Sequence, residues 1–123
     1  MYNNNAHITY ANNHMDVESS DKLMQMLYEG VLRFNMQAKK AIIDKDIEKK
    51  TYWLDRSNRI FLELIHMIDY EQGDIAHYLH GLYFYQLEQL TLANLHSDIK
   101  KIDGVNHVVK GLNEAWKDTV NVA

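Results

Sequence analysis

The residues best suited to do chemistry in this chain are two carboxylate–imidazole pairs. In Glu63-Leu64-Ile65-His66 and Asp74-Ile75-Ala76-His77 an acid precedes a histidine by three residues, so on a helix the two side chains share a face. Helical bundles use that spacing to hold a carboxylate-bridged dinuclear metal centre. Such a centre also needs inward carboxylates from the other two helices. Glu29, Asp103 and Glu114 are the available acids, and each falls off the inner apolar stripe of its segment. The pairs, together with His77 and His80, are therefore read as solvated surface groups, with no metal site, no catalytic residue and no cofactor expected. A metal-binding, ferritin-like bundle remains an alternative. Cysteine is absent, which removes thiol catalysis, Cys-type zinc sites and disulfides together.

Four long periodic segments carry these residues. From Asp21 to Ile43, the residues Leu23, Leu27, Val31, Phe34, Ala38 and Ala41 alternate at spacings of three and four, the stripe of a helix facing a core. Comparable core stripes read Ile47, Leu54, Phe61, Ile65 and Ile68; then Ile75, Leu79, Leu82, Leu90 and Ala93; then Ile102, Val105, Val109, Leu112 and Trp116. Proline is absent, and the few breakers gather at Asp44 to Asp46, Glu71 to Asp74 and His96 to Asp98. Ser19 or Ser20, Asp46, Asp74 and Asp98 are placed to cap the four helices. Connections this short force neighbours to run antiparallel. The fold expected is all-α: an antiparallel up-down four-helix bundle over residues 19–120, preceded by a flexible N-terminal segment, residues 1–18. Gly30, Gly81, Gly104 and Gly111 fall inside helical patterns, where close approach of a neighbouring helix would offset a cost of up to ~1 kcal/mol each.

The helices carry more apolar surface than such a bundle needs. Met24, Tyr28 and Leu32 continue the first stripe around its side, Trp53, Ile60, Leu64 and Met67 form a second stripe on the next helix, and Tyr78, Tyr85 and Leu92 recur seven apart on the third. Surplus of that kind implies a partner. Formal net charge is −4 and the cations are scattered, so a nucleic-acid footprint is missing. No apolar run approaches the ~20 residues of a membrane span, and the N-terminus lacks an export signal; a cytoplasmic protein is expected. In residues 1–18, Ile8 and Tyr10 stand as apolar anchors among polar neighbours, and are read as a strap that folds back over the surplus surface.

Several strings in order make the chain recognisable. Met1-Tyr2-Asn3-Asn4, Met26-Leu27-Tyr28-Glu29-Gly30 with Arg33-Phe34 and Gln37-Ala38-Lys39, Asp46-Ile47-Glu48-Lys49, Leu64 through Asp69, Gly73-Asp74-Ile75-Ala76, Leu82-Tyr83 with Tyr85, Leu90 with Ala93-Asn94, and Leu112 with Ala115-Trp116 together resemble the flagellar export chaperone family FliS. The likeness covers essentially the whole chain. It departs where the family often has Ser-Pro at the first helix and a Gly pair after the second; here Ser19-Ser20 and Gln72-Gly73 stand instead, and neither change touches the apolar faces.

The resemblance implies a cytosolic, non-enzymatic chaperone that holds the disordered C-terminal segment of flagellin, prevents its premature polymerisation and aids its delivery to the flagellar type III export apparatus. Export components or a co-chaperone are further partners it suggests. The family's N-terminal segment covers apolar surface in the unliganded state, in line with the strap. Flagellin contact is accordingly expected at Ile8, Tyr10, Met24, Tyr28, Ile60, Leu64, Met67, Tyr78, Tyr85 and Leu92, with Leu27, Phe34, Phe61 and Leu79 in the core. A self-associating helical scaffold, which would bury the same surplus against a second copy, is the other alternative.

Overall fold

A computed structural model describes the backbone of residues 5–122 and the side chains of residues 20–119. Four α-helices account for almost all of it: α1 Asn5–Ile43, α2 Ile47–His66, α3 Asp74–His96 and α4 Ile99–Val122, with a 3-10 turn at Tyr70–Gln72 between α2 and α3. No strand occurs among the described residues. The helix expected to start at Ser19 or Ser20 instead runs back to Asn5, because neither Gly nor Pro interrupts residues 5–20. The side chains of Ile8 and Tyr10 lie outside the described ones.

The turns follow from capping chemistry. The Asp46 carboxylate accepts from the Lys49 N–H and that of Asp98 from the Lys100 N–H, each satisfying a donor of a first helical turn. Between α2 and α3 the expectation is corrected: Asp69 caps the 3-10 turn, and α3 begins after Gly73 with Asp74 as its first residue. Gly73 adopts φ 76 and ψ −134, a conformation open essentially to glycine alone. The last turn of α3 is closed from another helix. Lys50 of α2, buried despite its charge, donates from Nζ to the Asn94 carbonyl and to Ser97 Oγ, both at 2.8 Å, placing a cation at the negative end of the α3 dipole.

Cross-helix contacts set the antiparallel order. Asp21 meets Trp116 and Asn35 meets Asn106 across α1–α4; Asn35 meets Ser57 across α1–α2; Lys50 meets Asn94 across α2–α3. The helices form a ring in which α1 and α3 each pack on α2 and α4. The core lies along its axis, with Val31, Leu54, Phe61, Leu64, Leu90, Ile102 and Val109 all buried.

Polar residues share that core, and they shift its register from the one hydropathy suggests. On α2 the buried stripe is Lys50, Leu54, Ser57, Phe61 and Leu64, leaving Ile47 70% exposed. On α3 it is Ala76, Tyr83, Gln86, Leu90 and Ala93, leaving Ile75 54% exposed. Leu23 likewise faces solvent rather than the core. Lys50, Ser57 and Gln86 each have a hydrogen-bond partner, whereas Asn113 Oδ1 on α4 has none. The Ser57 hydroxyl donates to Asn35 Oδ1 at 2.6 Å, and Asn35 Nδ2 donates to Asn106 Oδ1 at 2.8 Å, a relay across three helices that fixes their relative register.

Glycines divide in the same way. A Cβ on Gly30 would stand 2.9 Å from Ile60 Cδ1, so α1 and α2 approach closely there. Gly81, Gly104 and Gly111 have open space where a Cβ would be, which corrects the expectation of close helix approach at those three.

Candidate functional site

Where α2 turns into α3, residues of all four helices surround an apolar cleft of about 430 Å³. Met24 of α1, Leu64 of α2, Met67 at the α2 C-cap, Leu79 of α3 and Trp116 of α4 line it. Local structure explains the opening. α2 stops at Met67, whose N–H closes on the Glu63 carbonyl, and the Asp69-capped turn carries the chain outward before α3 starts. Trp116 is fixed across the cleft by its indole N–H, which donates to the Asp21 carbonyl at 3.2 Å. Unbranched methionines on two sides give the walls an adaptable lining.

Two shallower grooves run along the sides. Between α1 and α2 a space of about 310 Å³ is floored by Leu27, Phe34 and Ile60. Between α3 and α4 a space of about 280 Å³ is bordered by Tyr85, Val105 and Val108. Tyr78 and Leu92, each seven residues from Tyr85 along α3, are exposed as well. A further space of about 600 Å³ between α1 and α4 is walled by Lys39, Lys40, His107 and Lys110 together with Met36 and Ile43, a mixed surface richer in cations than the end cleft.

Of the sequence-selected residues, the structure gathers Met24, Leu64 and Met67 in the end cleft, and distributes Ile60 to one groove and Tyr85 to another. Two are not where an outer stripe would put them. Leu64, 1% exposed, forms the cleft floor, and Tyr28, 3% exposed, is a core residue. The Tyr28 and Tyr83 hydroxyls meet at 2.7 Å across the bundle diagonal. Burial, and then the bond to Tyr83, push the Tyr28 phenol far above its ordinary value. Burial also raises Tyr83, and the bond to Tyr28 opposes that rise. Both stay protonated, so this is a structural pair, not an acid–base one. Leu79 and Trp116, expected in the core on hydropathy, pack against it and also line the cleft, whereas Ile75, expected there too, is exposed on the cleft wall.

The carboxylate–imidazole pairs do not assemble. Glu63, His66, Asp74 and His77 are all exposed, and among the described residues no three His, Asp or Glu side chains form a group able to hold a metal ion. The Tyr70 hydroxyl lies 2.7 Å from His80 Nδ1, and His80 stacks on Phe84 at 6.1 Å, tying the 3-10 turn to α3.

What this surface serves is narrowed by similarity to known proteins. The sequence model of the family described as "Flagellar protein FliS" matches residues 2–123. A flagellar secretion chaperone FliS of Campylobacter jejuni is 48% identical over 122 residues, covering 98% of this chain and 95% of that protein. The protein of that name from Bacillus subtilis is 27% identical over 116 residues, covering 94% and 86%, and that from Vibrio cholerae is 30% identical over 103 residues, covering 83% and 76%. No helix among the described residues is long and apolar enough to cross a membrane.

Proposed function

From the premise that this chain belongs to the FliS family of flagellar secretion chaperones, we propose that it acts in the cytoplasm as a non-catalytic chaperone for flagellin. It binds the disordered C-terminal segment of flagellin, keeps it from polymerising early and helps deliver it to the type III export apparatus. One observation carries this reading: a bundle with a buried core still presents an apolar end cleft, a side groove floored by Leu27, Phe34 and Ile60, and a second groove where Tyr85, Val105 and Val108 stand among polar residues. These are surfaces on which an amphipathic segment can lay its apolar residues as helix or extended chain. Ordering a disordered client costs ~2–5 kcal/mol or more, so a tight complex must bury on the order of 1,000–3,000 Å². Contact at several separated grooves, rather than in one pocket, meets that requirement.

The test is isothermal titration with the C-terminal segment of flagellin from the same source, using an unrelated disordered peptide as control. Saturable one-to-one binding with a large negative heat-capacity change is expected. Absence of any complex, with a stable dimer in light scattering, would replace this reading with self-assembly through the same grooves.

A further inference from the structure

The chain contains three arginines among its thirteen Lys and Arg residues, Arg33, Arg56 and Arg59. Although they come from two helices, two of them converge on one aromatic ring. The Arg56 guanidinium carbon lies 5.0 Å from the centre of the Phe34 ring and 5.4 Å from that of Tyr52, and that of Arg33 lies 5.5 Å from Phe34. Phe34 is itself held by Trp53, stacked at 5.5 Å, which Tyr52 meets edge-on at 4.9 Å. Cation–π contact orders both guanidinium groups. Among the described residues neither Arg33 nor Arg56 has a carboxylate partner, whereas Arg59 is paired with Asp55 at 3.0 Å. Two pre-oriented forks of N–H donors are thus left unused on a protein whose net charge is −4.

Arg56 lines the α1–α2 groove with Leu27, Phe34, Arg59 and Ile60, and Glu63 lies two helical turns further along α2; Arg33 is joined to this lining through its contact with Phe34. With Arg59 between them paired to Asp55, the groove has the Arg56 fork toward one end, an apolar floor and Glu63 toward the other, an arrangement that distinguishes the two directions in which a segment could lie. A guanidinium matches a carboxylate through paired parallel hydrogen bonds, a geometry that an ammonium cannot reproduce.

Resting on the flagellin-binding reading above, we propose that Arg33 and Arg56, braced on Phe34, form a carboxylate-recognising subsite. It clamps an acidic side chain of the client's amphipathic segment while that segment's apolar residues seat on Leu27 and Ile60. The subsite sets the direction of the client in this groove, a role that apolar contact alone does not fill.

Titration calorimetry with the C-terminal segment of flagellin from the same source tests it. The double variant Arg33→Gln/Arg56→Gln should bind at least about tenfold more weakly at low salt, with unchanged far-UV circular dichroism and melting temperature. Arg56→Lys alone, which keeps the charge but not the fork, should retain only part of the wild-type affinity, and Lys40→Gln, which removes one charge from the α1–α4 face, should bind as the wild type does. On the client side, single Asp→Asn or Glu→Gln changes should include one whose effect on the wild-type chaperone vanishes in the double variant. Undiminished affinity of the double variant, an equal loss in Lys40→Gln, or no coupled client residue would each overturn the subsite while leaving flagellin binding intact. If the double variant fails to fold, the client-side series on wild type and on Arg33→Gln alone decides the matter by the same coupling. No binding by the wild-type protein would remove the functional reading and the subsite together.

Discussion

Tyr28 and Tyr83 illustrate how one polar atom pair holds a core together. Each hydroxyl is the other's partner at 2.7 Å. Tyr28→Phe therefore removes one oxygen and leaves the other buried without a partner, at a cost of ~1–3 kcal/mol. The double variant Tyr28→Phe/Tyr83→Phe should recover much of that loss in urea unfolding, because no orphan remains. The pair also sets an alkaline limit. Both phenols titrate above their usual value of 10.0 in the folded protein, so above pH 10 the unfolded chain releases protons that the folded chain retains. Stability from this pair is fully present below that pH and declines as pH rises past it, by up to ~1.4 kcal/mol per pH unit for each phenol. The double variant should show a shallower decline between pH 10 and 11; an unchanged slope would separate the pair from the alkaline limit.

The helices show what their glycines cost and where they are required. At Gly104 and Gly111 of α4 a Cβ would meet nothing, so Gly104→Ala and Gly111→Ala should each stabilise by up to ~1 kcal/mol through helix propensity, read as a raised melting temperature. Gly73 should behave oppositely. Its backbone conformation before α3 strains any side chain, and Gly73→Ala should lower stability by ~1–3 kcal/mol. Destabilisation by the α4 alanines would mean that those positions contact something in the folded protein. The capping aspartates Asp46 and Asp98 were legible in the sequence because capping is decided within a few residues. The Asp69 turn was not, since two acids competed for one short connection and the route of the chain chose between them.

At the scale of the whole molecule, the grooves should be separable from the fold. Ile60 floors the α1–α2 groove and Tyr85 borders the α3–α4 groove, so Ile60→Asp or Tyr85→Asp should weaken flagellin binding while leaving helical content intact. Loss of the circular dichroism signal in both would return these residues to a structural role. The covering role expected for residues 1–18 belongs to the same scale. Deleting residues 1–14 should leave a folded bundle and alter the association rate of the flagellin segment in stopped-flow fluorescence, because a competing strap is gone. Unchanged kinetics would count against any such cover.

The sequence by itself determined four helices, most of their ends and the presence of more apolar surface than the bundle consumes, since helical period and capping are local properties of the chain. It also carried the family, through short strings kept in order along nearly its whole length. Tertiary structure alone decided which stripe turned inward. Tyr28 reads as an outer position, and Ser57, Tyr83 and Gln86 fall off the hydropathy stripes, yet all four are buried, because burying a polar group depends on partners and packing supplied by other parts of the bundle. The same reason hid the Arg33–Phe34–Arg56 cluster and the end cleft. Both are built from residues of different helices, and no period within a single helix records where its neighbour will stand.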